Sequence, residues 1–307
     1  MKLKLTIGLA VLLTASLLSC SKDEGNNMNT EGLQITIMAS NSEYTDVNGT
    51  RTNITSGYAR WDTAPGVERI GLFLPTGARE LTGVTTDGGL TMNFSGYMLS
   101  TLANGTHPGL ACYPFSAITG NISRTVELPH TQWPLLKSFD PKADLMYAVP
   151  FNVVVHNNTI THPISTQFKH AIALVKVVFK GIETAVEGQA ITKFTLTRPT
   201  NTTENAYLAG ERVFNMETGA FGGYRPTSHE TVTALYDASV GLGPNVENGI
   251  YLCVFPYDIP TGKTLIFYAE TEDYKISKTV TTDVPILLEA GKITTLNVSG
   301  ATITPQY

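Results

Sequence analysis

The chain has 307 residues, 21 of them Lys or Arg against 26 Asp or Glu, for a formal net charge of −5. Charged residues are only 15% of it, and no Lys/Arg-rich run follows the first few residues, which excludes the electrostatic footprint of a nucleic-acid binder. Three cysteines are too few for the disulfide framework of a small secreted domain, while the abundance of Thr, Asn, Gly and Ser suits an extracellular β protein.

Lys2 and Lys4 give the N-terminus a positive charge, and residues 5–18 are almost wholly apolar. A run this short is a secretory signal rather than a membrane span, which needs roughly 20 residues. Its end, Leu17-Leu18-Ser19-Cys20, resembles a bacterial lipobox, in which the cysteine takes up lipid and becomes the first mature residue. Residues 1–19 are therefore read as a signal peptide and Cys20 as the lipidation site. The following Ser21-Lys22-Asp23-Glu24 resembles the surface-export tag of Bacteroidetes lipoproteins. Two of the 21 basic residues leave with the signal, so 19 face 26 acidic ones in the mature chain. Residues 20–32 are polar and rich in Gly and Asn, as expected of a flexible tether.

Leu33-Gln34-Ile35-Thr36-Ile37 alternates apolar and polar residues, the pattern of a half-buried strand. A long polar stretch over 41–58 follows, with Arg51 inside it and Arg60 just beyond. Further strands are expected at 69–74, 110–113, 145–155, 172–179, 194–197, 250–255, 264–269 and 292–298. Turn residues separate them, among them Pro75-Thr76-Gly77, Asp87-Gly88-Gly89, Asn157-Asn158 and Pro260-Thr261-Gly262. Residues 168–179 also fit a helical period, but the β-branched Ile172, Val175, Val177 and Val178 favour a buried strand. No window reads as a capped amphipathic helix, so the chain is expected to be all-β. Cys112 and Cys253 sit in apolar strand-like runs and are expected to be buried free thiols. Each run ends at an aromatic-Pro-aromatic stop or close to one, around Pro114 and Pro256, where the missing amide hydrogen ends strand pairing. That echo, with the chain length, points to two sandwiches meeting near residues 161–165: 33–162 and 163–307.

Catalytic and metal-binding patterns do not emerge. The histidines at 107, 130, 156, 162, 170 and 229 show no ligand spacing, so no metal site is expected. Neither a nucleophile elbow nor a phosphate-cradling Gly-rich loop occurs, so neither catalytic residues nor a cofactor are expected. Trp61, Trp133, Tyr224 and Tyr274 would suit a sugar platform, which keeps a surface glycan-binding lipoprotein as the alternative function. Asp62-Thr63-Ala64 matches a short O-glycosylation motif of Bacteroidetes.

Several separated segments resemble one family. Tyr58-Ala59-Arg60-Trp61-Asp62 followed by Glu68-Arg69-Ile70-Gly71-Leu72-Phe73 resembles the entry strand of fimbrillins, and Cys112-Tyr113-Pro114-Phe115 their strand-ending motif. Phe139-Asp140-Pro141-Lys142-Ala143-Asp144-Leu145-Met146 resembles a third segment. The run Phe168-Lys169-His170-Ala171-Ile172-Ala173-Leu174-Val175-Lys176-Val177 resembles the strand that opens their second domain. By these motifs the chain is similar to the fimbrillins, subunits of the type V pili of Bacteroidetes.

The resemblance implies two tandem transthyretin-like β-sandwich domains and a non-enzymatic pilus subunit that supports adhesion. It also implies a lipid-anchored outer-membrane precursor, later part of an extracellular fimbrium, with other pilus subunits and a surface ligand as partners and no nucleic acid. A protease directed to Arg or Lys would cut the precursor, here after Arg51 or alternatively after Arg60. The displaced strand would carry Leu33, Ile35 and Ile37, and a neighbour's strand would fill the groove. The segment 294–303 is expected to be able to serve as such a donor.

Overall fold

A computed structural model describes residues 32–46, 61–62, 64, 66–85, 87–98, 101–115, 122–135, 138–182, 186, 189–199, 207–237 and 249–306. Cys20, Arg51 and Arg60 lie outside them, as does Thr63 of the glycosylation motif. The described residues from 32 onward belong to one compact unit. They are almost entirely strand, with one 3-10 turn at Pro141–Ala143.

The strands up to residue 170 are β1 (Leu33–Asn41), β2 (Thr45–Asp46), β3 (Arg69–Leu74), β4 (Gly77–Val84), β5 (Thr91–Met98), β6 (Gly105–Tyr113), β7 (Ser123–Leu128), β8 (Thr131–Gln132), β9 (Met146–Ala148), β10 (Phe151–His156), β11 (Thr159–Ile160) and β12 (Ile164–His170). Beyond it come β13 (Ala173–Lys180), β14 (Lys193–Thr197), β15 (Gly210–Asn215), β16 (Ala220–Tyr224), β17 (Thr231–Leu235), β18 (Ile250–Val254), β19 (Tyr257–Ile259), β20 (Thr264–Glu270), β21 (Tyr274–Thr281), β22 (Ile286–Leu288), β23 (Lys292–Ser299) and β24 (Thr302–Pro305).

The first sheet runs β11-β10-β6-β3-β4-β5-β1-β12-β9, and a β6–β9 pairing closes the circuit. Local chemistry explains its hairpins. Asn157 and Asn158 both take positive φ, 50° and 54°, which the primed turn between β10 and β11 requires and which Asn tolerates better than most residues. Between β4 and β5, the Asp87 carboxylate accepts the Thr91 amide and hydroxyl. These bonds hold Asp87 well below the usual carboxylate range. The inward residues of this sheet form one apolar cluster, from Leu33, Ile35 and Ile37 to Phe94, Val153 and Phe168.

A four-stranded sheet, β18-β13-β23-β2, and a six-stranded one, β24-β21-β20-β14-β17-β8, bury a second, larger apolar cluster. Three short strands from the first half, β2, β7 and β8, pair with partners from the second half, respectively β23, β15 and β17. The run 168–179, expected as one strand, is two. β12 pairs in the first sheet and β13 in the four-stranded one, with Ala171 and Ile172 between them. Ala171 N–H donates to Leu145 O and Ile172 O accepts from Gly291 N–H, so the crossing residues satisfy their polar groups with loops rather than a ladder. Residues 170–175 are buried without a break, so burial alone does not mark where β12 ends and β13 begins.

The segment 294–303 is not one strand: residues 294–299 belong to β23, which pairs with β13 along seven positions, and 302–303 belong to β24. The last strand, β24, is an edge of the six-stranded sheet, held antiparallel on β21. Cys112 and Cys253 are buried free thiols.

Candidate functional site

β1 occupies the middle of the first sheet. It runs antiparallel to β5 over eight positions, from Leu33↔Met98 to Ser40↔Thr91, and parallel to β12 from Ile37↔Ile164 to Asn41↔Phe168. Its pattern is strictly alternating: Leu33, Ile35, Ile37 and Ala39 are buried, whereas Gln34, Thr36 and Met38 face out. The three residues expected to define a displaceable strand thus point into one core, side by side.

Trp61 closes the floor beneath them. Its ring meets Phe94 of β5 edge-on at 5.1 Å and Phe168 of β12 at 5.6 Å, the two strands that flank β1. Trp61 is 3% exposed, so it is core rather than part of a sugar platform. Trp133 is 58% exposed, whereas Tyr224 and Tyr274 are half-buried. Beside Trp61, Glu68 accepts the Asp62 amide at 2.7 Å. Burial raises the Glu68 carboxyl above its ordinary range, against the lowering effect of that bond and of one with Tyr113.

At the C-terminal end of β1 the chain passes from the first sheet to β2 through a buried polar cluster. Ser42 N–H donates to Phe168 O at 2.7 Å, and Ser42 O lies 2.7 Å from His170 Nε2. His170 Nδ1 is 2.8 Å from Asp144 Oδ1, which also accepts the Tyr44 hydroxyl at 3.0 Å. The Tyr44 and His170 rings stack at 3.8 Å, and Phe139 meets Tyr44 edge-on at 5.4 Å. Burial, followed by the Asp144 charge, pushes the Tyr44 phenol well above its ordinary value, so it stays a donor. Positions 44, 144 and 170 are too far apart for any local pattern to join them. The sequence marked Asp144 and His170 only as parts of two separate motifs.

Among the described residues no group of three or more His, Cys, Asp or Glu comes together to hold a metal, and no helix is long and apolar enough to cross a membrane. His130 and His229 stack at 4.1 Å as a pair, and burial followed by His130 lowers His229.

No curated protein matches the chain. Among solved structures, it resembles a candidate cell adhesion protein from Bacteroides ovatus with a TM-score of 0.52 and 16% identity, over 89% of this chain and 96% of that one. A candidate cell adhesion protein from Bacteroides fragilis aligns at a TM-score of 0.47 and 11% identity, over 89% and 97%. The fimbrial anchor protein Mfa2 from Porphyromonas gingivalis aligns at 0.32 and 10%, over 76% of each. At 16% identity the first of these likenesses speaks to fold alone. The sequence model of the fimbrillin-like family matches residues 24–304, nearly the whole chain, and with the all-β fold this means that the chain belongs to the fimbrillin-like family.

Proposed function

We propose that this chain is a non-enzymatic structural subunit of a type V pilus, assembled by strand exchange after its N-terminal strand is cut away. The observation that carries the reading is the position of β1, an interior strand that plugs the first core from between β5 and β12. Leu33, Ile35 and Ile37 are worth roughly 1.5–3 kcal/mol each when buried, together an upper bound of about 5–9 kcal/mol. A whole domain is stable by only about 5–15 kcal/mol. Losing β1 therefore leaves a groove that must be refilled, and its two unpaired ladders template a replacement strand. Loss of residues 33–51 would remove β2 as well, freeing the β23 edge at Lys292 and Ile293.

In this reading Cys20 carries lipid and holds the precursor at the outer membrane until cleavage after Arg51, or after Arg60, releases the strand. The released subunit then joins its neighbours in an extracellular fimbrium that supports adhesion. The reading keeps two sandwiches, 33–162 and 163–307; two apolar clusters fit that number, while β12 pairs in the first sheet and β2, β7 and β8 pair with strands of the second half. Arg51→Ala and Arg60→Ala, singly and together, test the trigger. The double variant is expected to keep its leader and stay monomeric on gel filtration. Trimming and polymerisation at wild-type rates would sink both the site and the trigger.

A further inference from the structure

We propose that His170 and Asp144 form a selectivity site that reads the strand in the β1 groove, accepting one that carries a tyrosine five residues after its last inward apolar residue. This rests on the strand-exchange reading and adds the chemistry by which one strand is preferred over another.

The argument starts from what β1 leaves behind. Its alternating apolar residues fit any strand of similar pattern, so the groove by itself discriminates weakly: one methylene more or less is worth only about ten-fold to two-hundred-fold. A buried polar group is different, because a strand that fails to satisfy it leaves it unpaired. Asp144 and His170 are both buried, and both address the leader rather than each other alone. Asp144 Oδ1 accepts Tyr44 O–H at 3.0 Å, His170 Nε2 points to Ser42 O at 2.7 Å, and the Tyr44 ring covers the imidazole at 3.8 Å.

Both nitrogens of His170 face acceptors, a carboxylate and a backbone carbonyl. Each of these contacts is within hydrogen-bond distance, so the imidazole is tied at once to Asp144 and to the leader backbone. Departure of the leader strips this cluster of one hydroxyl donor, one carbonyl acceptor and one ring face together. A replacement strand restores all three only if it brings a carbonyl and, two residues later, a tyrosine. Ala39 is the last inward apolar residue of β1 and Tyr44 follows five positions on, which sets the register. Phenylalanine supplies the ring without the donor, and alanine supplies neither.

The test uses the full chain, cut by an arginine-specific protease in the presence of a fluorescent peptide of residues 32–46. Competing peptides carry Tyr44→Phe or Tyr44→Ala. The wild-type peptide is expected to enter about ten-fold or more better than the Tyr44→Phe peptide, the scale of one hydrogen bond to a charged group. That preference should vanish in the Asp144→Ala chain and shrink to a few-fold in Asp144→Asn, which keeps the shape should Asp144→Ala not fold. A residue that merely supports the fold would weaken both peptides alike. Equal entry of the Tyr and Phe peptides into the wild-type chain overturns the proposal.

If no peptide enters at all, strand exchange itself fails, and the uncut chain still decides the selectivity site. There Tyr44→Phe should speed amide exchange along β1 by about the same factor, and by only a few-fold in the Asp144→Asn chain. Exchange that is unchanged, or speeded equally in the Asp144→Asn chain, overturns it too.

Discussion

Gly210 opens β15 with φ of +99°, and a Cβ there would lie 2.4 Å from Thr227 O and 2.6 Å from Ser228 Cα. Both neighbours are backbone and cannot rotate away, and an L side chain is strained at that φ in any case. Gly210→Ala is therefore expected to cost about 2–4 kcal/mol, read as a lower urea midpoint; a loss under 1 kcal/mol would contradict the geometry. Glu68 carries a prediction of the opposite sign. Burial raises its carboxyl in the folded chain, so the folded state holds the proton to higher pH than the unfolded state does. Stability from this group is present below the ordinary carboxylate range and lost as pH rises through the raised value. Glu68→Gln keeps an acceptor for the Asp62 amide and removes the charge. It is expected to be neutral or stabilising by up to about 1 kcal/mol at pH 8 and to flatten the loss of stability as pH rises above the ordinary carboxylate range. A variant less stable at pH 8 would show that the charge is needed. Only the tertiary neighbours of Gly210 and Glu68 give them these roles.

At the scale of elements, the sequence pattern located many of the half-buried and fully enclosed strands. The 69–74 segment matches β3 residue for residue, and β14, β18, β20 and β23 fall within a residue or so of expectation. Thr91–Met98 went unread because Gly96 takes an inward position and exposed Tyr97 an outward one, although it is the strand that pairs with β1 over its length. β7 alternates in burial but turns Arg124 inward, and β8 and β15 are short or only partly buried, which weakens their patterns. β8 shows how a two-residue strand joins two sheets. Gln132 Nε2 donates to Cys253 O at 2.7 Å and Gln132 Oε1 accepts Cys253 N–H at 2.9 Å, a side-chain amide standing in for a neighbouring strand at the β18 edge. Gln132→Leu removes both bonds and leaves two buried backbone groups unpaired. The expected cost is about 2–4 kcal/mol in equilibrium unfolding. An unchanged midpoint would mean that other groups satisfy Cys253.

For the whole molecule, the leader is common to both sheet systems: β1 lies inside the first and β2 on the border of the second. Its removal therefore acts on both at once, which gives a short N-terminal segment control over the assembly state in the proposed scheme. In the same proposed scheme, cellular placement is assigned to the first twenty residues. Cys20→Ala is expected to abolish metabolic labelling by palmitate and leave the protein out of the membrane fraction; labelling that persists would place the lipid elsewhere.

The sequence alone determined the all-β class, most of the enclosed strands, the family and the alternating strand at 33–37. Each is written in residues close together, as a period of two, a turn dipeptide or a run of motif positions. The tertiary structure decided which strands are neighbours. It made β1 interior and β24 an edge, split 168–179 between two sheets, and gathered Tyr44, Asp144 and His170 from distant positions into one buried cluster. Pairing in a sheet is set by which surfaces exclude water together, and a one-dimensional pattern states that a residue is buried without stating against what.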